Sequence, residues 1–292
     1  MKALVTGASG GLGNSLLRRM VGREGLEVRA LAHRSSIVME GCEIVRGDLR
    51  DRVSLLEAVK GVDTVVHLAA LTHTNRQEDY FIVNAEGTKN LVDASLASGV
   101  RRFMYVSSLA AQPGGGSYSE SKLMAEGMVK SSGLKWIVFR PAEVYGVGSG
   151  DAVNKLVGWV RDFKVVPVAG DGSYTLSPAF IDDVVSAMIV AVENAALENT
   201  AFTLAGPEPM TYIQLVDRIG RFLGVDRYKI RVPILAMKLA AEVLFLMGRD
   251  FLVRDQIPRL LCGKDYDIEL AVRLLNYRPR KLEEGLRQCV SP

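Results

Sequence analysis

Through the first half of the chain, short runs of β-branched and apolar residues alternate with longer stretches in which apolar side chains recur every three or four positions. An apolar run buried on both faces reads as a parallel strand and the wider spacing as a helix laid against it, so the alternation predicts βαβ units. The strand-like runs are residues 3–6, 28–32, 43–45, 64–68, 103–106 and 136–139, with helices near 12–22, 51–59, 79–98 and 118–131. After Arg140 and Pro141 the rhythm changes: Gly146, Gly148 and Gly150 punctuate a loop, and helical patterns no longer alternate regularly with strands. A helix over 182–192 and a strand over 201–204 return the chain to the first unit before it ends in helices. The pattern predicts an α/β fold, with a doubly wound parallel sheet from 1–148 and 178–205 and a smaller, mostly helical substrate region from 149–177 and 206–292. Segment 234–247 is apolar round most of its circumference, which predicts a helix packed in the core or against a second copy, with a membrane surface as the lesser alternative.

Charge and cysteine content remove some function classes. Lysine and arginine number 36 against 33 acidic residues and are scattered along the chain, which argues against a nucleic-acid surface. Cys42, Cys262 and Cys289 are far apart and form no CxxC, so neither a disulfide framework nor a zinc or other metal site is expected, and a reduced cytoplasmic setting fits. The apolar stretch after Lys2 ends at Gly7, too short for a secretory leader, and no segment reaches the roughly 20 apolar residues of a membrane-spanning helix.

Chemistry begins directly after the first strand, where Gly7, Ala8, Ser9, Gly10, Gly11, Leu12 and Gly13 lead into a helix. Glycines at Gly7, Gly10 and Gly13 permit a tight turn and the approach of a pyrophosphate to backbone N–H groups, while the helix N-terminus supplies partial positive charge. The spacing is GxxGxxG, one residue longer than the general dinucleotide fingerprint of the Rossmann sheet. At the end of the second strand an acidic residue would bind a ribose 2′-hydroxyl and repel a 2′-phosphate, but Ala32 stands there. His33, Arg34, Ser35 and Ser36 follow, donors suited to a phosphate, so the cofactor expected is NAD(P) with the balance toward NADP. Asp48 and Leu49, after the third strand, suit either an adenine contact or, through Asp48, the N-cap of the next helix. His67 reads as a satisfied core histidine.

Tyr118 and Lys122 lie one turn apart on a helix face, where a cation beside a phenol favours the phenolate and lowers its pKa. Ser108, with Ser107 beside it, emerges at the end of the strand over 103–106, the edge of a parallel sheet at which ligands bind. With the glycine loop, these residues resemble the short-chain dehydrogenase/reductase family, in its extended branch of epimerases, dehydratases and hydroxysteroid-type dehydrogenases. Three further stretches strengthen the resemblance: Asn84, Gly87, Thr88, Asn90 and Leu91 (NxxGTxNL), Arg140, Pro141, Val144, Tyr145 and Gly146 (RPxxVYG), and Phe180 to Val184. It implies that Tyr118 gives or takes the substrate hydroxyl proton, Lys122 holds the nicotinamide ribose and tunes the tyrosine, and Ser108 orients the substrate oxygen. It also implies that Leu68, Ala69, Ala70, Asn84, Pro141 and Val144 line the cofactor.

Two departures from the family pattern bear on the substrate. The connection from Ser108 to Tyr118 is short, which counts against a nucleotide sugar, and no carboxylate accompanies Ser108, which counts against dehydration. The expected chemistry is hydride transfer at a secondary alcohol or ketone carbon of a small molecule, a hydroxysteroid- or isoprenoid-like compound or a nucleotide sugar. The alternatives are an epimerase holding NAD tightly and a non-catalytic nucleotide-binding protein, and the family pattern adds a possible homodimer. His73, Gln112, Asn154 and Arg161 are candidate substrate contacts, and 147–150 a candidate hinge.

Overall fold

The computed structural model describes residues 1–148, 152–246 and 255–290, without the side chains of 243–246 and 290. Gly150 of the candidate hinge, the boundary at 149 and Met247 of the apolar helix lie outside the described residues. In chain order the first half runs β1 (Lys2–Thr6), α1 (Gly11–Met20), β2 (Glu27–Ala32), β3 (Cys42–Arg46), α2 (Arg52–Val59), β4 (Thr64–His67), α3 (Gln77–Tyr80), a π-helical turn (Phe81–Glu86), α4 (Gly87–Ala97), β5 (Arg102–Val106), α5 (Ser117–Lys130) and β6 (Lys135–Pro141). Then follow β7 (Val144–Tyr145), α6 (Ala152–Asp162), β8 (Val165–Ala169), β9 (Thr175–Leu176), β10 (Ala179–Phe180), α7 (Ile181–Glu193) and β11 (Thr200–Leu204). The chain closes with β12 (Met210–Thr211), α8 (Tyr212–Leu223), β13 (Tyr228–Val232), α9 (Ile234–Leu246), α10 (Gln256–Leu261), α11 (Glu269–Leu275) and α12 (Leu282–Val290).

Seven parallel strands form the central sheet in the order β11-β6-β5-β4-β1-β2-β3. Their side chains explain why: Ala3, Leu4, Val5, Val65, Val66, Phe103 and Met104 are all fully buried, as strands covered on both faces must be. Leu16, Leu17 and Met20 of α1 pack with Val184, Val185 and Met188 of α7 on one face. Leu55 and Val59 of α2, Leu91 and Val92 of α4, and Ala125 and Val129 of α5 cover the other. The strand order reverses between β1 and β4, so a crevice opens beyond their carboxyl ends, where open α/β sheets bind ligands. The predicted return strand is β11, which pairs with β6 from Thr200 beside Ile137 to Leu204 beside Pro141.

Three features depart from the sequence expectation. The long helix expected over 79–98 is interrupted by the π turn, which widens the backbone around Asn84. The later region, expected to be mostly helical, also contains two small two-stranded sheets, β9 with β12 and β8 paired in parallel with β13. The strand β8 escaped notice because Val165-Val166-Pro167-Val168-Ala169 carries a proline and has only one partner. Helix α9 is not a core helix: Leu235 is 70% and Leu239 58% exposed, and only Ala241 among its side chains of described burial is buried. No helix among the described residues is long and apolar enough to cross a membrane.

Candidate active site

The cofactor cradle is built by close backbone approach. Gly7 has a positive φ of 71°, and a Cβ there would lie 2.5 Å from the Ala69 backbone nitrogen; one on Gly13 would overlap the Gly7 carbonyl oxygen. Neither position admits a side chain, and Gly10 N–H donates to Gly7 O at 3.0 Å to close the turn. Helix α1 starts at Gly11 with no side-chain cap on its first N–H groups, and Ser9 and Gly10 are exposed in front of it. Free donors at a helix N-terminus, approached through glycine alone, fit the pyrophosphate of a dinucleotide. Leu12 is half-buried and packs against the core behind the loop.

The opposite wall is the end of β4. Thr6 Oγ1 accepts from the Ala69 N–H at 3.2 Å and is 2.6 Å from His67 Nδ1, while His67 Nε2 is 2.9 Å from Thr88 Oγ1. His67 is fully buried, and burial, with some help from Lys122, pushes its pKa down to about 3, so it is the neutral core histidine expected. Leu68, Ala69 and Ala70 are half-buried along this wall. Asn84 uses its whole amide structurally: Oδ1 accepts from Leu71 N at 2.7 Å, and Nδ2 donates to Leu71 O at 3.0 Å and Ser121 Oγ at 3.1 Å. It therefore shapes the wall at which a cofactor contact was expected.

At the far end of the cradle, His33, Arg34, Ser35 and Ser36 are exposed after β2, and Ala32 is buried. Asp48 is not the cap of the following helix, because Asp51 takes that place by accepting from Val53 N at 3.0 Å. Asp48 instead faces Arg50 at 2.6 Å and His33 at 3.1 Å, and the Arg50 hydrogen bonds hold its carboxyl down at about 2. Leu49 is buried under the backbone of Gly87, and its carbonyl accepts from Asn90 Nδ2 at 3.0 Å.

Ser108, Tyr118 and Lys122 converge where β5 ends and α5 begins. Ser108 lies close enough to the Tyr118 phenol to oppose the rise of its pKa, and its Oγ accepts from the Ala110 N–H at 3.2 Å, whereas the neighbouring Ser107 hydroxyl is buried without a partner, which separates two serines that the sequence left side by side. Lys122 is 2% exposed, donates to Val106 O at 2.7 Å and sits 4.3 Å from the centre of the Tyr105 ring. Burial pulls its amine down to about 7, with Glu126 opposing the shift. The expectation that a cation lowers the Tyr118 pKa needs correction: burial dominates and raises it, and the cation working against burial is Arg259 rather than Lys122. Pro141 is buried and Val144 half-buried on the adjacent edge.

Three residues that sequence reasoning passed over fix this centre. Glu126, one turn beyond Lys122, is buried and paired with Lys130 at 2.6 Å and with the Arg140 guanidinium, bolting α5 to the end of β6. Its signal was present, since Tyr118, Lys122, Glu126 and Lys130 recur every four positions. Asp255, 2% exposed, accepts from the Tyr118 N–H at 3.2 Å and so caps a helix whose own N-cap, Gly116, has no side chain. Arg259 lies over the Tyr118 ring, 4.7 Å from its centre, while Tyr80 packs edge-on at 5.8 Å. Sequence alone offers nothing to link Asp255 and Arg259 to a helix 137 residues earlier. Of the other candidates, Arg161 pairs with Asp162 at 2.7 Å and Asn154 donates to Gly146 O at 2.7 Å. Gln112 is half-buried in the Ser108–Tyr118 connection, and His73 is exposed with its Nδ1 3.1 Å from Thr72 Oγ1. Among the described residues no cluster of three or more His, Cys, Asp or Glu side chains could hold a metal ion.

The sequence model of the NAD dependent epimerase/dehydratase family matches residues 3–205. A 2-alkyl-3-oxoalkanoate reductase of Stenotrophomonas maltophilia is 30% identical over 99% of this chain and 98% of its own length. A 3beta-hydroxysteroid-dehydrogenase/decarboxylase of Arabidopsis thaliana is 26% identical over 85% of this chain and 66% of its own. Among solved structures, the UDP-glucose 4-epimerase of Thermotoga maritima superposes with a TM-score of 0.78 at 23% identity, covering 99% of this chain and 97% of that one, which establishes a shared fold. The chain belongs to the NAD dependent epimerase/dehydratase family and is an NAD(P)-dependent oxidoreductase or epimerase of the extended short-chain dehydrogenase/reductase type.

Proposed function

We propose that this enzyme interconverts a secondary alcohol and a ketone, with Tyr118 as acid/base, Ser108 orienting the substrate oxygen and Lys122 holding the ribose of the nicotinamide. The observation that carries the reading is the buried Tyr118 with Lys122 one turn along α5 and Ser108 close to the phenol, beside a glycine cradle that fits a dinucleotide. Bound in that cradle, the nicotinamide supplies hydride to a carbonyl carbon or takes it from a carbinol carbon. In reduction, Tyr118 passes its proton to the substrate oxygen as negative charge grows there, and Ser108 donates a hydrogen bond to the same oxygen. The buried Lys122 amine is poised near neutrality, and among the described residues the Val106 carbonyl is its one hydrogen-bond acceptor, so a ribose hydroxyl gives it a second. Asn84 acts indirectly, by holding Leu71 and Ser121 in place.

The two relatives named above are, by name, a ketone reductase and a hydroxysteroid dehydrogenase, which supports a lipid-like ketone or alcohol over a nucleotide sugar. Residues 149–177 and 206–292 are proposed to bind that substrate. NADP is the cofactor we assign. Ala32 removes the acid that would repel a 2′-phosphate, Arg34 and Ser35 are exposed at the end of β2, and the nearby Asp48 is paired with Arg50. Substituting Arg34→Ala should cut the NADPH-over-NADH preference, measured as a ratio of kcat/KM, by about ten- to a hundredfold, the size of a lost charged hydrogen-bond pair. A wild-type preference for NADH would overturn the assignment.

A further inference from the structure

Two oppositely charged side chains of one short segment meet Tyr118 at different places. At its backbone, Asp255 Oδ1 accepts from the Tyr118 N–H at 3.2 Å. Over its ring, the guanidinium carbon of Arg259 lies 4.7 Å from the centre. Asp255 is the residue before α10 and Arg259 stands one turn further on, the spacing at which opposite charges on a helix ordinarily attract each other. Here both are engaged with Tyr118.

A carboxylate is hard to keep in this place. Asp255 is 2% exposed, and its Oδ2 is buried without a partner. Burial holds its acid above the ordinary carboxylate range, with the Tyr118 N–H and the charge of Arg259 opposing that rise. A serine, threonine or asparagine would cap α5 as well and leave no charge to desolvate. Helix capping therefore explains the hydrogen bond and leaves the charge unexplained. The space is fitted to it, since a Cβ on Gly116 would lie 2.5 Å from Asp255 Oδ1 and 3.0 Å from Pro258 Cγ.

The same segment is tied down at its far end. Lys264, its side chain 2% exposed, lies 3.4 Å from Glu143 on the turn after β6, and Tyr266 donates its hydroxyl to Thr175 O at 2.6 Å. Residues 255–266 thus form a strap that runs from the N-terminus of α5, over the Tyr118 ring, to β9. Of the other groups around Tyr118, Tyr80 packs edge-on from α3, Ser108 approaches from the end of β5, and Glu120 of α5 is exposed. Lys122 turns its amine to Val106 O and the Tyr105 ring.

We infer that Asp255 and Arg259 are positioning residues for Tyr118, so that the strap, and not α5 alone, fixes where the phenol stands and how readily it releases its proton. This deepens, and rests on, the alcohol–ketone reading above. Hydride and proton still pass among substrate, nicotinamide and Tyr118; neither strap residue gains or loses a bond to them. Arg259 favours the phenolate that oxidation needs, and Asp255 favours the phenol that reduction needs. Without the guanidinium a more alkaline solution is required to form phenolate, and without the carboxylate charge a less alkaline one is enough. Packing alone would give no such pair of opposite displacements.

The test follows oxidation of a secondary alcohol against pH in wild type, Arg259→Gln, Arg259→Lys and Asp255→Asn, each saturated with oxidised dinucleotide. Arg259→Gln should move the midpoint of the kcat profile up by about one to two pH units, roughly a ten- to hundredfold loss of rate below it, the size expected of one nearby charge in a partly solvated site. Arg259→Lys keeps the charge and should restore most of the rate. Asp255→Asn keeps an oxygen for the Tyr118 N–H and should move the midpoint down. The carbon resonance of Tyr118 in protein labelled at tyrosine Cζ, assigned by its loss in Tyr118→Phe, should follow the same order without turnover, and the remaining tyrosine signals report whether each variant is folded. A midpoint unmoved in either folded variant, or moved in the same direction in both, would overturn the inference and leave the strap as a structural support. A wild type that oxidises no secondary alcohol would instead end the alcohol–ketone reading, with the Tyr118 resonance still deciding what the strap does.

Discussion

Tyr118→Phe should lower turnover on the order of a thousandfold while leaving fold and dinucleotide affinity intact. The substitution removes only the phenol hydroxyl, which lies near Ser108. The ring stays packed between Tyr80 and Arg259, and the backbone N–H that Asp255 holds is unaffected. What is lost is proton transfer to the substrate oxygen, and general acid–base catalysis by a positioned side chain is worth roughly 10² to 10⁴ in rate. Because burial raises the phenol above its ordinary range, Tyr118 stays protonated through neutral pH as a ready donor for reduction. Oxidation needs the phenolate, so its rate should climb with pH in the wild type and lose that dependence in the variant. Stopped-flow traces of nicotinamide absorbance in both directions check both points; near-normal rates in Tyr118→Phe would remove Tyr118 from the chemistry.

Gly13→Ala should damage the protein more than almost any other single methyl group. The new Cβ would overlap the Gly7 carbonyl oxygen and crowd the Ala8 Cα, all backbone atoms that no rotamer change can move aside. Either α1 shifts off β1 or the glycine turn opens, and overpacking of this kind costs about 3 kcal/mol, a large part of a typical domain's net stability. Urea unfolding should register the loss, and nucleotide titration of the surviving folded fraction should register a cradle that no longer fits a pyrophosphate. Wild-type stability together with wild-type dinucleotide affinity would mean that the turn is not the tight cradle described.

Much of this was readable along the chain because its causes are local. Doubly buried parallel strands must be apolar runs, and the runs over 3–6, 64–68 and 103–106 found their places in β1, β4 and β5 within a residue of their observed ends. The glycine turn and the Tyr118–Lys122 pair are legible for the same reason: backbone approach and one helical turn are short-range geometry. The features that stayed hidden are long-range. Asp255 and Arg259 reach Tyr118 only through tertiary folding, and nothing in Asp255-Gln256-Ile257-Pro258-Arg259 distinguishes it from an ordinary surface helix. The π turn at Phe81–Glu86 has no sequence period of its own, since apolar spacing tolerates one extra residue. For helix α9, apolar round most of its circumference, the sequence left open a place in the core or against a second copy; Leu235 and Leu239 face outward, which removes the core.

The account stands or falls on direct hydride transfer between the nicotinamide and a substrate carbon, and transfer of label from NADPH deuterated at C4 tests it most directly. Mass spectrometry and proton resonance of the alcohol formed from a ketone substrate should find one deuterium on the new carbinol carbon and none at the neighbouring position. With deuterium at both C4 positions of the cofactor, an alcohol without deuterium there would contradict it.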